Sequence, residues 1–225
     1  WGLIGTFIKG SIWIGFFGLF FGIGLGGKKY SLFEILLILF VSIFFLYLGI
    51  YILNEPFDPI NKKLPFIYFS DDWYWEPVEK LRPRREQWGG LLFALVFLFS
   101  YISIIKKDIL ARNMTLWGLL AGGLGFTIGQ SVQAYHAWNM NEIKNGLFSS
   151  IYPFINWWNM MEITFGAVFA FIIALGLWYN RNHISSNDDY NSFQLGIKAE
   201  LGLLVIHIVA LLTWNFISFS TFDWF

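Results

Sequence analysis

Long apolar runs alternate with short polar breaks along the chain. Each run is long enough to cross a bilayer as a helix, which takes about 20 residues. The runs cover roughly 1–26, 32–53, 88–105, 115–138, 157–179 and 195–217. Their length and lack of strict alternation exclude strands. The pattern predicts an all-α fold, a polytopic transmembrane helical bundle of about six spanning helices in three hairpins. The hairpin tips carry Lys28 and Lys29, then Lys106, Lys107 and Arg112, then Arg181 with the polar run 182–191.

Glycine spacing predicts how two of these helices pack. At about 100° per residue, Gly118, Gly122, Gly125 and Gly129 form one stripe on the fourth run, which continues into Gln133 and His136. Ser11, Gly15, Gly18, Gly22 and Gly26 share a face of the first run. Small-residue faces let helix backbones approach closely in membranes, so both are expected to lie against protein. Gly123 points away from the stripe and is expected to tolerate a large side chain better than Gly122 or Gly125. Lys9, within the first run, is expected to snorkel to the nearer interface.

Polar chemistry gathers at the end opposite the tips. The segment 54–87 is broken by Pro56, Pro59, Pro65, Pro77 and Pro83, which forbid a long helix. Its aromatics, Trp73 and Trp75 among them, suit the headgroup layer, so it reads as an ordered cap. It ends in Arg82, Arg84 and Arg85, whose guanidinium groups suit phosphate or carboxylate. In the fifth run Asn159, Glu162, Gly166 and Ala170 share a face. Glu162 lies one turn inside the pair Trp157 and Trp158; a carboxylate costs roughly 2.5–3.5 kcal/mol at mid-helix and less near the surface. It is therefore expected to face protein, pair with a cation such as Arg84 or Arg85, or be protonated; in a structural role it is expected to face the fourth helix. Glu162 and His136 are the candidate catalytic pair. The candidate substrate-binding residues are Arg82, Arg84, Arg85, Gln130, Gln133, Asn159, Trp73, Trp75 and Trp157. On the last run Glu200 and His207 share a face and suggest a weaker proton path.

Composition narrows the function. Only 13% of the 225 residues are charged and 56% are hydrophobic, against roughly 25% charged in ordinary soluble domains. A water-soluble fold is excluded, and the bilayer is the first partner. A net charge of zero gives no reason to expect nucleic acid. Without cysteine there is no disulfide or thiolate site, and three histidines at 136, 183 and 207 make a poor metal set. Phosphate-binding glycine loops and GxSxG elbows are missing, so no cofactor or metal is expected. The apolar run begins at Trp1 without a basic leader, which suggests a processed chain or a segment of a longer one.

The single domain 1–225 is thus expected in a bacterial inner membrane or an organelle membrane, with the hairpin tips in the cytoplasm. Its expected function is an outward-facing polar site that binds or processes an anionic or glycan-like, possibly lipid-linked, substrate. A secondary transporter is an alternative, although transporter sites usually lie at the midplane on broken helices. A structural or anchoring subunit of a larger membrane assembly is another, with other membrane subunits as partners.

Overall fold

A computed structural model of the chain describes residues 2–26, 28–55, 87–147, 149–150 and 152–185, with 197–198, 201–202, 204–206 and 208–209. All regular structure among them is helical. The chain divides into two units, Trp1–Ser185 and Ser186–Phe225. In the first lie α1 (Gly2–Leu25), α2 (Leu32–Leu53), α3 (Trp88–Ser100), α4 (Ile109–Trp138), the short α5 (Met140–Asn145) and α6 (Trp157–Tyr179). In the second, the described residues between 197 and 209 are helical. The segment 56–86, with Trp73, Trp75, Arg82, Arg84 and Arg85, lies outside the described residues, as do Glu200 and His207.

Four helices are long and apolar enough to cross a membrane: Leu3–Leu25, Leu32–Leu53, Trp88–Ile105 and Trp157–Tyr179. Their outer faces fit that environment. On α2, Phe33 is 75% exposed, Phe40 71% and Tyr51 75%, a display that lipid tolerates and water does not. α4 is not among the four, because glycines, glutamines and His136 dilute its hydropathy. Yet it is the best-covered helix, packed between α1 and α6.

The main packed pairs are not those expected within the hairpins, first span with second and third with fourth. α1 packs against α4, α4 against α6, and α2 against α3, while α1 touches α3 more lightly. Glycine complementarity outweighs loop length. A methyl at Gly122 would strike the Gly10 carbonyl, one at Gly118 the Ile14 carbonyl, and one at Gly18 the Met114 carbonyl. These contacts run antiparallel, backbone on backbone. The stripe on α4 then divides, because Gly125 and Gly129 receive Phe165 and Met161 of α6 instead.

Two expectations are corrected here. Gly123 is buried: its missing Cβ would lie 2.5 Å from Ser11 Oγ and 2.6 Å from the Phe7 ring, so it too faces α1. Lys9 does not snorkel. It is only 5% exposed, with Nζ 5.4 Å from the centre of the Trp88 ring, where a cation meets a π-face.

The helix ends are set by local chemistry. Asp108 caps α4, its Oδ1 accepting from Ala111 N at 3.0 Å, so the helix begins six residues before the apolar run expected at 115. Ser31 and Glu34 form a reciprocal capping box on α2. Asn54 ends α2 and its Oδ1 takes the Gly89 N–H at 3.1 Å, tying α2 to the start of α3.

Candidate functional site

The antiparallel pairing puts the C-terminus of α4 and the N-terminus of α6 at one end of the bundle. Asn156 caps α6 by accepting from Trp158 N at 3.0 Å and Asn159 N at 3.2 Å. This fixes Trp157 as the first helical residue, opposite the last turn of α4. There His136 lies flat on Trp157, ring centres 4.3 Å apart at 13°. Its Nε2 is 3.1 Å from the Tyr152 hydroxyl, in the short turn Tyr152–Phe154. The Trp157 indole Nε1 is buried with no hydrogen-bond partner among the described residues. Gln133 follows the α6-facing stripe one turn deeper and is half-buried, as is Gln130. Neither amide makes a side-chain hydrogen bond among the described residues.

Glu162 does not join this group through α4. It is exposed, and its Oε1 accepts from the Trp158 indole of its own helix at 2.7 Å. Asn159 and Ala170 are exposed beside it, and nothing lies within 4 Å of a Cβ built at Gly166. α6 meets α4 through the neighbouring face, with Met161, Ile172, Ile173 and Gly176 buried. The expectation that Glu162 faces the fourth helix is overturned, since large side chains of α6 fill the hollow left by the α4 glycines. His136 and Trp157 are together; Glu162 and Asn159 look elsewhere.

A second polar cluster closes the tip end, and the sequence pattern alone left it unassembled. A π-turn over Tyr101–Ile105 carries the Lys106 N–H to the Tyr101 carbonyl at 3.1 Å, bringing both side chains to Glu34. Lys106 Nζ lies 2.8 Å from Glu34 Oε1 and donates to the Lys29 carbonyl at 3.0 Å; the Tyr101 hydroxyl donates to the same carboxylate. The ammonium also sits 4.6 Å from the Tyr30 ring centre. Tyr30 donates in turn to Asp108 Oδ2 at 2.9 Å. Asp108 is only 2% exposed, so one carboxylate both caps α4 and anchors the first tip loop. One sequence signal marks the cluster, the Ser31-x-x-Glu34 box.

Every polar group of this cluster has a partner, which makes it a clamp. Burial, and then the hydrogen bond to Asp108, push the Tyr30 hydroxyl well above its ordinary range. A folded-state pKa above the unfolded one gives stability that is full below about pH 10, the free value, and is lost as pH rises past it. Tyr30→Phe is therefore expected to cost about 1.5–3 kcal/mol at neutral pH, with the gap to wild type narrowing above pH 10. Thermal unfolding in detergent across that range checks this; a constant gap would separate Tyr30 from the alkaline loss.

No family model, curated protein or solved structure matches this chain. What the chain can do rests on its own geometry.

Proposed function

We propose that this is a multi-pass membrane protein with an outward-facing binding site at the end formed by α4 and α6. The observation that carries the proposal is His136 stacked on Trp157 with the Tyr152 hydroxyl beside it. The site has an aromatic surface, the Tyr152 hydroxyl and two half-buried amides one to two turns deeper. Such a set suits a neutral ring bearing hydroxyls, and so a glycan-like substrate, free or lipid-linked. Arg82, Arg84 and Arg85 belong to the segment that leads into α3, and would hold an attached phosphate. Binding is the better-supported role, because the catalytic pairing of His136 with Glu162 lacks the contact it needs.

In this proposal α4 also crosses the membrane, since it lies along α1 and α6 from the Ala111 level to the Gly129 level. The run 195–217 supplies a further span, and the tips face the cytoplasm. One observation favours a second function, as a subunit of a larger membrane assembly. Glu162, Asn159 and Gly166 turn away from the described helices, as they would towards another protein.

Equilibrium binding of a labelled polyprenyl-phosphate sugar to the reconstituted chain tests the first proposal. His136→Ala and Trp157→Ala are each expected to weaken binding by about tenfold, roughly 1.4 kcal/mol. The bare polyprenyl phosphate should depend less on either residue. Equal binding by wild type and both variants would overturn the site.

A further inference from the structure

At the tip end, away from His136, α4 carries an open groove of about 290 Å³ lined by Asn113, Leu116, Trp117 and Leu120. These positions descend one helical face from the first turns of α4 towards the middle of the bundle. Leu116 and Leu120 are 49% and 42% exposed. Trp117 is held firmly, stacked on Tyr179 at 5.8 Å and packed against Gly176. Leu124 and Ile128 continue the same exposed lane.

The mouth of the groove is cationic. Asn113 Nδ2 donates to Asn180 Oδ1 at 2.7 Å, bridging α4 to the end of α6. Arg112 donates through Nε and Nη2 to Asn113 Oδ1, both at 3.2 Å, so its guanidinium stays at the mouth. Arg181 follows Asn180; its Nη1 donates to the Trp178 carbonyl at 2.8 Å and the group lies 5.5 Å from the Trp178 ring centre. Both arginines are exposed. Among the described residues, the carboxylates of this end are turned inward: Asp108 serves Ala111 and Tyr30, and Glu34 serves Lys106 and Tyr101. Among the described residues no carboxylate contacts Arg112 or Arg181.

We propose that this groove seats an anionic phospholipid, its acyl chain along Leu116 and Leu120 and its phosphate between Arg112 and Arg181. An apolar lane with a basic interfacial end matches an anionic amphiphile. The groove is too open for a compact ligand, whose pockets enclose most of it. The inference goes beyond the outer site and rests on α1, α4 and α6 crossing the bilayer.

The test uses the full chain in nanodiscs of mixed phosphatidylcholine and phosphatidylglycerol, released into native mass spectrometry to identify the retained lipid. Phosphatidylglycerol is expected to stay on in preference to phosphatidylcholine. Arg112→Gln and Arg181→Gln should each cut its retention about fivefold, the effect of one basic side chain near a membrane surface. Lys28→Gln, an exposed lysine outside the groove, should leave retention unchanged. Leu116→Trp, which fills the lane without touching charge, should expel the lipid, and it stands in if the arginine variants fail to fold. Inorganic phosphate should not compete. Equal retention of the two lipids, loss with Lys28→Gln equal to that with Arg112→Gln, competition by phosphate, or a second copy retained in place of lipid would overturn the proposal. Release of the chain from vesicles by alkaline carbonate would end the membrane reading as well; a failure of lipid selectivity alone leaves that reading standing.

Discussion

Gly122→Leu is expected to abolish the packed pair of α1 and α4, leaving little monodisperse protein on extraction. The leucine would enter a place where even a methyl meets the Gly10 carbonyl and the Ile14 Cβ, so backbone must move. Overpacking a filled site commonly costs 1–3 kcal/mol; here four added carbons against a main chain should cost at least about 3 kcal/mol. Gly125→Leu should be milder, since the nearest obstacle there is the edge of the Phe165 ring at 3.0 Å. Gly123→Leu should fall between them, because its obstacles are the ends of Ser11 and Phe7. Gly166→Leu, with nothing within 4 Å, should be neutral or slightly stabilising through helix propensity. Size-exclusion profiles and thermal unfolding of the four variants check the order. Equal behaviour of Gly122→Leu and Gly166→Leu would remove the contact of α1 with α4 from the account.

Asp108→Ala is the second large effect expected. It removes the cap of α4, worth about 1 kcal/mol, and the charge-assisted bond from Tyr30, worth about 1.5–3 kcal/mol. It also leaves the Ala111 N–H and the Tyr30 hydroxyl short of an acceptor. The sum is a loss of about 3 kcal/mol, read by thermal unfolding in detergent. Asp108→Asn keeps one acceptor, for the Ala111 N–H, and should recover the cap, about 1 kcal/mol, but not the charge-assisted bond from Tyr30. In the Tyr30→Phe background, Asp108→Ala should cost less, because the two residues share one bond. Full additivity in that cycle would show that Tyr30 and Asp108 act separately.

The four apolar helices were legible because hydropathy and length act locally, and so was the buried face of α1. Pairing was not legible, because it depends on which distant glycine face fits which backbone. α6 shows the limit. Its small residues Gly166 and Ala170 suggest an inward face, yet the hollow over Gly125 and Gly129 is filled by bulky Phe165 and Met161. A glycine stripe accepts a large partner as readily as a small one, so the sequence left the direction of Glu162 open. Of the proposed site, His136 and Trp157 were named from the pattern. Tyr152 was missed, because its role comes from a turn between helices. The tip clamp was missed for a related reason: Tyr30 and Tyr101 count as apolar in a hydropathy profile, although their hydroxyls do the bonding.

The contact between Gly10 and Gly122 also orders events during synthesis. The two helices that fit best are separated by the whole of α2, the segment 56–86 and α3. At roughly 5–20 residues per second, α1 waits on the order of 5–20 s after it is made before α4 emerges. Throughout that interval most of the glycine face of α1 has no partner: α2, joined to it by a short loop, does not supply one, and α3 reaches that face at Gly15, through Leu95. In a membrane, lipid or another helix would have to cover that face until α4 arrives.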